Sequence, residues 1–503
     1  MKTQRKKSLK QSQLERCGFF DAWLHFLKAK KHNGSLTKGV ELLIVCKGEN
    51  VMKENKGLMT SGNIYAKIAL FAIPLLLGNF FQLMYNTIDS IIVGNYVGAS
   101  ALAAVGASTP IINLLIGFFQ GLATGAGVVV SRFFGARRVE DLSKAVHSFI
   151  VFALIVGIIL GIAGCFGSSY ILRWIGTKPD YYADAESYLF IYFIGAVFLT
   201  LYNAGTGILQ AVGDSRHPLY FLVATSIINI ILDIVFVRFM DMGVSGAALA
   251  TIIAEAISMV LVLRLLLCAK AEYKLSFRKL GLNLPILRQI IEIGVPAGVQ
   301  GMIVSVSNII VMAYINSFGA AGVAGFSCAN KIDNFLGLPV NSLMLATTTF
   351  CGQNLGANNF ERVRKGVRAA LIMSISIVVS LGVVAMMFSD QLMSIFTDDA
   401  SVIHNGTLVL RTMCPFYTFL CFHQVYSGAL RASGRSSLPM ITSITSFVVI
   451  RQIFLALFTA GADITVIGWS YSITWGIAAM LTGICYFGSG WLKKEETRAV
   501  QCK

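Results

Sequence analysis

The sequence predicts an all-α polytopic membrane protein with twelve transmembrane helices, arranged as two six-helix lobes of a parallel repeat around a central cleft. Three observations support this prediction: the composition, the apolar stretches and an internal repeat. Hydrophobic residues make up 55% of the 503 residues and charged residues only 13%, and the mean hydropathy is +0.71. Soluble domains contain about 25% charged residues. The composition therefore excludes a soluble enzyme with a single membrane anchor.

Twelve stretches are long and apolar enough to cross a membrane, which takes about 20 residues. In the first half of the chain they cover approximately residues 65–95, 101–133, 143–166, 186–211, 217–239 and 244–268. In the second half they cover approximately residues 287–317, 322–354, 363–388, 404–431, 438–460 and 464–492. They are numbered below as spans one to twelve in chain order.

The two halves of the chain repeat each other at a constant offset. The stretches "VGASALAAVG", "FFGARRVEDLSKA" and "GILQAVGDSRHPLY" are echoed by "FGAAGVAGFS", "NLGANNFERVRKG" and "GALRASGRSSLPMI". Matching residues lie 221 positions apart, as do Gly98 and Gly319, or Pro218 and Pro439. Because each half has an even number of spans, both halves enter the membrane from the same side. This is a parallel repeat, in which substrates bind between the halves.

The repeat divides the chain into five predicted parts. A basic stretch at its start is predicted to be a disordered cytoplasmic extension, possessing no convincing signal peptide. A six-helix lobe, a cytoplasmic linker, a second six-helix lobe and a cytoplasmic tail follow. In order, these parts are residues 1–59, 60–268, 269–285, 286–492 and 493–503.

The net charge of +16 indicates membrane topology rather than nucleic-acid binding. Basic residues cluster after the even-numbered spans, for example at Arg137 and Arg138, and at Arg364 and Lys365. By the positive-inside rule, we expect a multi-pass protein of the cell membrane with both termini cytoplasmic. The ten cysteines form no CxxC or CxxH pattern, so neither a zinc site nor a disulfide framework is indicated.

Three spans of the first half carry polar side chains at one predicted depth. Asp89 lies in span one and Thr251 in span six, and Asn229 and Asp233 share one face of span five. Counting from the turn near Met242, these side chains lie roughly 10 Å below the outer membrane surface. A charged side chain at the centre of a membrane helix costs roughly 2.5–3.5 kcal/mol, so a functional role is predicted for the two aspartates.

Carboxylates together with amide and hydroxyl oxygens are suited to a hard cation such as Na⁺, or to a proton. For Thr251 the competing interpretation is a hydrogen bond to its own helix. The second half does not repeat this chemistry, because Ile310, Ile450 and Phe454 occupy the equivalent positions. Glu255, one turn after Thr251, is a weaker candidate for a proton path.

The second half has polar residues of its own within predicted spans, namely Lys331, Asp333 and Arg451. Two interpretations stay open from the sequence alone. In one, Arg451 or Lys331 neutralises Asp333 in space. In the other, these side chains bind substrate.

The motifs resemble those of the multidrug and toxic compound extrusion family, a branch of the flippase-like transporter superfamily. The resemblance rests on "IPLLLGNFFQLMYNTIDSIIVG", "ALAAVGASTPI", "FFGARR" with its echo "NLGANN", and "GILQAVGDSRHP" with its echo "GALRASGRSSLP". It covers approximately residues 60–492. The stretch "ANKIDNFLGLP" is similar to the bacterial branch of DNA-damage-inducible and staphylococcal-type pumps.

The resemblance implies drug efflux driven by sodium or proton entry. It also implies a cation site formed by an aspartate on span one, an Asn-x-x-x-Asp pair on span five and a threonine on span six, which match Asp89, Asn229, Asp233 and Thr251. One branch of the family places cation-binding carboxylates on spans seven and ten. Here those spans contain no buried acids, which argues against that second site.

The expected function is therefore secondary active efflux of amphipathic, cationic compounds in exchange for Na⁺ or H⁺ by alternating access. No cofactor is expected, and the expected partners are xenobiotic substrates and membrane lipid, with the protein a monomer that binds no nucleic acid. Several side chains are candidates to face the cleft, with ordinary packing as the competing interpretation for the first four. They are Met84, Tyr85, Met302, Met312, Asp333 and Arg451.

Two other functions compete with this one. A lipid-linked saccharide flippase of the same superfamily would carry several central arginines for a pyrophosphate, whereas only Arg451 and Lys331 qualify here. An intramembrane enzyme is disfavoured because the sequence contains no HExxH motif, GxSxG elbow or phosphate-binding loop.

Overall fold

The computed structural model of the chain describes residues 58–501, and within that part the regular secondary structure is helical, without strands. The prediction of a disordered extension falls almost entirely on residues 1–57, which lie outside the described residues. The expected all-α membrane fold is confirmed.

In the described part of the first half, seven α-helices follow one another. α6 continues directly into a π-helix, Ile234–Phe239, and α4 and α5 meet at Gly195 with a bend of 48°. The helices are α1 (Ile64–Tyr96), α2 (Ala99–Gly135), α3 (Val139–Trp174), α4 (Pro179–Ile194), α5 (Ala196–Ala211), α6 (Arg216–Asp233) and α7 (Gly243–Cys268).

The second half follows after a linker that contains a short 3₁₀ turn, Phe277–Lys279. A π-helix, Ile444–Ile450, joins α14 to α15. The helices are α8 (Leu284–Ile315), α9 (Gly319–Gly356), α10 (Phe360–Met387), α11 (Ser389–Ser394), α12 (Ala400–Met413), α13 (Tyr417–Ala432), α14 (Ser437–Ser443), α15 (Arg451–Phe458), α16 (Thr465–Gly488) and α17 (Trp491–Gln501).

These helices agree with the twelve predicted spans once three junctions are taken into account. Between residues 58 and 501, nine helical stretches are long and apolar enough to cross a membrane, or ten if the bent pair α4–α5 is one span. One of the nine, Leu284–Gly356, contains both α8 and α9, which a 3₁₀ turn at Asn316–Phe318 separates. Span ten corresponds to α12 and α13, which are interrupted by a 3₁₀ turn at Cys414–Phe416 around Pro415. Proline supplies no backbone N–H, so the α-helix is broken there.

The turns explain why the same residue types occur at equivalent positions of the two repeats. Gly98 and Gly319, 221 positions apart, both have positive φ, of 116° and 72°. Arg137 and Asn358 also form an equivalent pair, and both adopt the left-handed region with φ of 55° and 57°. Each half thus turns between its first three helices with the same backbone geometry, which requires glycine at the first position.

The two halves touch through glycine-lined helix faces. A Cβ atom added to Gly121 on α2 would lie 2.1 Å from the backbone nitrogen of Gly298 on α8, and one added to Gly125 would lie 2.5 Å from Gly294. Such close backbone approach is possible only without side chains. A Cβ atom on Gly106, nearer the other end of α2, would meet no atom within 4 Å. The halves are therefore in backbone contact at the end of α2 that leads into α3.

The first helix of each half packs partly against the opposite half. The beginning of α1, with Ile68 and Phe71, shares a buried cluster with Phe350 of α9, whereas its end, with Val93, packs in the first half. Pro74 lies between these two parts. α8 follows the same pattern from the other side: its beginning lies on α2 of the first half, and its end packs in its own, second half.

The C-terminal helix α17 contacts both halves near the end of α2 that leads into α3. We refer to this end of the molecule, where the two halves touch, as the closed end. Glu495 forms an ion pair with Arg132 of α2 at 3.5 Å, and Glu496 forms one with Arg364 of α10 at 2.5 Å. Trp491, at the start of α17, is only 2% exposed. α17 therefore joins the two halves where they already touch.

Candidate cation and substrate site

The structure brings two of the predicted carboxylates together. Asp89 on α1 and Asp233 on α6 lie close enough for their two carboxyl groups to share a proton or a cation. Asp233 is fully buried and Asn229, one turn before it, is 2% exposed. Within residues 58–501, both Asp233 carboxyl oxygens, the Asn229 amide and the Asp89 Oδ1 have no hydrogen-bond partner. Buried polar atoms without partners are rare in native proteins, and such atoms indicate a site for an ion or a proton.

The backbone around Asp233 is irregular. α6 ends at Asp233, and the chain continues as a π-helix in which Met240 N donates to Val235 O at 2.9 Å. Single turns of π-helix are often found at functional sites. Asp233 thus sits where the regular α-helical ladder of hydrogen bonds is interrupted.

Thr251 lies on α7, which packs beside α6. Its hydroxyl donates to Ala247 O at 3.1 Å, one turn earlier in the same helix. This is the competing interpretation that the sequence left open, although the hydroxyl oxygen keeps its capacity to accept or to coordinate. In the described part of the chain, no three His, Cys, Asp or Glu side chains are grouped closely enough to hold a metal ion. A bound Na⁺ would therefore depend on neutral oxygens from Asn229 and Thr251 in addition to the two carboxylates.

Two tyrosines lie within electrostatic range of both aspartates, and sequence reasoning named only one of them, Tyr85. Tyr85 on α1 and Tyr188 on α4 lie close to both Asp89 and Asp233. The signal that could have revealed Tyr188 is its spacing of four residues from Tyr192 within span four, which places both on one helix face. Phenol hydroxyls can donate hydrogen bonds to carboxylates in a site that excludes water.

Glu255 on α7 lies within electrostatic range of three tyrosines of the first half. Its Oε2 is buried without a hydrogen-bond partner among residues 58–501, and it lies close to Tyr85, Tyr192 and Tyr202. Tyr85 is therefore near both the aspartate pair and Glu255.

The second half holds a different polar cluster, centred on Arg451. Arg451 is 2% exposed, and its guanidinium donates to Thr474 Oγ1 at 3.1 Å and to Asn308 Oδ1 at 3.3 Å. It also lies 4.2 Å from the ring centroid of Tyr471. Tyr417 donates a hydrogen bond to Asp333, which is within electrostatic range of Arg451.

The contacts favour one of the two interpretations of these charges. Lys331 Nζ lies 5.0 Å from the ring centroid of Phe396, away from the Asp333 cluster. Arg451, and not Lys331, is the cation found within electrostatic range of Asp333. All of these groups have protein partners, which supports a structural role.

Removing Arg451 should leave Asp333 as an uncompensated buried charge. We expect Arg451→Met to lower the free energy of unfolding by about 3–5 kcal/mol. The double variant Arg451→Met/Asp333→Asn should recover most of this loss, because both charges are then gone. Thermal unfolding of the purified protein in detergent would measure both, with Lys331→Met as the matched control. Equal losses in the single and double variants would contradict the pairing.

The remaining candidates for the cleft are neither fully buried nor fully exposed. Met84 and Met302 are half-buried, and Met312 packs against the core of the second half. Two polar residues that the sequence reasoning missed, Thr87 and Asn308, are exposed in the C-terminal halves of α1 and α8. They are 221 positions apart, so each half presents a polar side chain at the same place. Polar side chains at this depth usually face a cavity rather than lipid.

A family model described as MatE matches the chain twice, over residues 74–235 and 296–458. The chain belongs to the MatE family. The two matches begin 222 residues apart, in agreement with the offset of the internal repeat. The resemblance inferred from the motifs is thereby confirmed.

Relatives and solved structures agree with this assignment. "Probable multidrug resistance protein YpnP" of Bacillus subtilis (strain 168) is 30% identical over 407 residues, or 80% of this chain and 90% of that protein. "Multidrug export protein MepA" of Staphylococcus saprophyticus is 22% identical, over 83% of this chain and 92% of that protein. A structure described as the outward-facing conformation of a multidrug resistance MATE family transporter of the MOP superfamily has a TM-score of 0.82 at 24% identity, covering 88% of this chain and 100% of that one. This likeness confirms the fold of this MatE member.

Proposed function

We propose that this MatE protein is a secondary active multidrug efflux antiporter. It exports amphipathic, cationic compounds in exchange for Na⁺ or H⁺ by alternating access. The observation that carries the proposal is the close approach of Asp89 and Asp233, whose buried oxygens have no hydrogen-bond partner among residues 58–501. The relatives named as multidrug resistance or export proteins support the substrate class.

The aspartate pair has the chemistry that coupling requires. Two carboxylates in contact inside a membrane repel each other when both are charged, so a cation or proton between them is stabilised. Since Asp89 is on α1 and Asp233 on α6, occupancy changes the attraction between two helices. A ligand shifts a conformational equilibrium only by its differential affinity for the two states, and this contact supplies such a difference.

The competing flippase function has less support. A pyrophosphate-linked sugar would require several free guanidinium groups in the cleft. Arg451 instead bonds Thr474 and Asn308, and Lys331 lies over Phe396. The lack of catalytic motifs likewise favours a transporter over an enzyme.

The chain is a multi-pass membrane protein. We infer that it works as a monomer in the cell membrane. Both termini are placed in the cytoplasm, because the α2–α3 and α9–α10 turns carry the basic residues. By this orientation, the closed end of the molecule faces the cytoplasm. The proposal includes no cofactor besides the coupling ion.

The decisive experiment imposes each gradient separately. Proteoliposomes that contain the purified protein would be loaded with a fluorescent organic cation. Its release would be followed under a sodium gradient without a pH gradient, and then under a pH gradient without a sodium gradient. We expect one gradient to accelerate release, and an ionophore that collapses it to abolish the acceleration. Release that is indifferent to both gradients would overturn the antiport mechanism.

A further inference from the structure

Two side chains at the closed end form matching hydrogen bonds between the two halves. Arg132, near the end of α2, donates from its Nε to Ala432 O of the second half at 2.8 Å. Gln353, near the end of α9, donates from its Nε2 to Ala211 O of the first half at 2.9 Å. The two donors lie 221 positions apart, and so do the two acceptors. The two bonds are therefore equivalent under the internal repeat, and each half holds the other by the same contact.

Both acceptors are carbonyl groups at the ends of helices. Ala211 is the last residue of α5, and Ala432 is the last residue of α13. The last carbonyl groups of an α-helix have no partner within the helix and must find one elsewhere. Gln353 is fully buried, so separating the halves leaves its amide and the Ala211 carbonyl without a partner until water enters. The Arg132 bond is also favoured by charge, because a cation at the C-terminus of a helix meets the negative end of the helix dipole.

The repeated motifs "FFGARR" and "NLGANN" supply the glycine that brings these groups within reach. Gly135 follows Arg132 by three residues, and Gly356 follows Gln353 by three residues. A Cβ atom on Gly135 would lie 1.9 Å from Gln353 O, and one on Gly356 would lie 2.0 Å from Arg132 O. A side chain at either glycine would push the ends of α2 and α9 apart and strain both bonds.

The segment that precedes α1 is held by the same glutamine. Met59 N donates to Gln353 Oε1 at 2.8 Å, and Met59 O accepts from Arg362 Nε at 3.1 Å. Met59 leads into α1 of the first half and is 3% exposed, yet both of these partners belong to the second half. The oxygen and the nitrogen of the Gln353 amide thus each bind backbone that leads into or belongs to the first half.

We propose that Arg132 and Gln353 are a pair of equivalent latches that keep the closed end shut, and that both bonds break when the cleft opens toward the cytoplasm. This inference rests on the alternating access proposed above. Because each donor and its acceptor lie in opposite halves, a rocking motion that parts the ends of α2 and α9 separates both pairs. The latches are positioning residues, which set the balance between the two conformations.

The separation of the halves at the closed end tests the latches in the full-length protein. Spin labels at Glu140 and Glu361, exposed equivalent positions of the two halves, would report it in detergent or nanodiscs. We expect Arg132→Met and Gln353→Met each to raise the ratio of open to closed molecules by about fivefold, the effect of one lost hydrogen bond. The double variant should exceed either single variant, because the same opening breaks both bonds.

A second pair of labels distinguishes gating from a general loosening of the fold. Asn95 and Asn316 are exposed, equivalent positions at the opposite ends of α1 and α8. If the latches control a rocking motion, this second separation should decrease in the variants as the separation at the closed end increases. Gln353→Glu provides another variant of the buried latch, because it keeps an oxygen for Met59 N and removes only the donor to Ala211 O. It should also open the closed end.

Two control variants make the same substitutions where the bond lies within one half. Arg138→Met removes a cation that pairs with Asp141 of the first half at 2.7 Å. Gln424→Met removes an amide that donates to Asn341 Oδ1 of the second half at 3.2 Å. Both controls should leave the two label separations unchanged.

Three results would overturn the latches: separations at the closed end that stay as in the unmodified protein, a double variant that opens no further than the single ones, or broadening at both label pairs together. The label separations need neither gradient nor dye. Dye release that is indifferent to both gradients would therefore overturn antiport alone, and unchanged separations in a protein with gradient-driven release would overturn the latches alone.

Discussion

Asp233→Asn and Asp89→Asn are each expected to lower gradient-driven efflux by roughly tenfold or more, within the range of coupling energies between linked sites. Each change removes a carboxylate from the pair and leaves its shape nearly unaltered. The remaining aspartate then has no like charge beside it, and cation occupancy no longer changes the contact of α1 with α6. Initial rates of dye release from proteoliposomes under the effective gradient would measure the loss.

A matched control separates coupling from general damage. Asp184→Asn changes an exposed acid near the start of α4 and should leave the rate unchanged. Dye binding in the absence of a gradient should persist in the Asp89 and Asp233 variants, because only the driving step is affected. Full gradient-driven efflux by either variant, at normal expression, would refute the coupling role of the pair.

Gly121→Ala is expected to open the closed end of the molecule. The new Cβ would lie 2.1 Å from the backbone of Gly298, which cannot move aside as a flexible side chain could. Overpacking of this kind costs about 1–3 kcal/mol, enough to change the balance between two conformations. Spin labels at Glu140 and Glu361, exposed positions that are equivalent in the two halves, should report a larger separation in the variant.

Gly106→Ala provides the control for this change, since it makes the same substitution on the same helix. A Cβ atom there meets nothing within 4 Å, so distance distributions and transport should match those of the unmodified protein. An unchanged label separation in Gly121→Ala, with normal transport, would show that the glycine contact does not hold the two halves together.

The helices were predictable from sequence because each needs only a long apolar run, which is a local property. The breaks were less visible. Span ten was predicted as one continuous helix, yet a 3₁₀ turn around Pro415 divides it, and span four bends at Gly195. A proline or glycine can be absorbed in a membrane helix or can break it, and neighbouring helices decide between these outcomes.

The site was predictable in part for a similar reason. The carboxylates of Asp89 and Asp233 stood out because charge is rare in a membrane helix. Tyr188 did not, because tyrosine is common in membrane helices and only the packing of α4 against α2, α3 and α7 brings it within electrostatic range of the aspartates. The partners of Arg451 likewise come from three different helices, and no spacing in the sequence connects Asn308 with Thr474.

The packing of α1 and α8 against both halves has a consequence for how the molecule can move. Each of these helices is fastened at its beginning to the opposite half and at its end to its own half. The boundaries of the sequence repeat and the boundaries of the mechanically rigid pieces therefore differ. A rocking motion therefore cannot only separate the two halves at the linker. It must also bend α1 and α8, slide them, or break their contacts with the opposite half. Asp89 lies on α1, beyond Pro74, so such a deformation would reach the pair of aspartates.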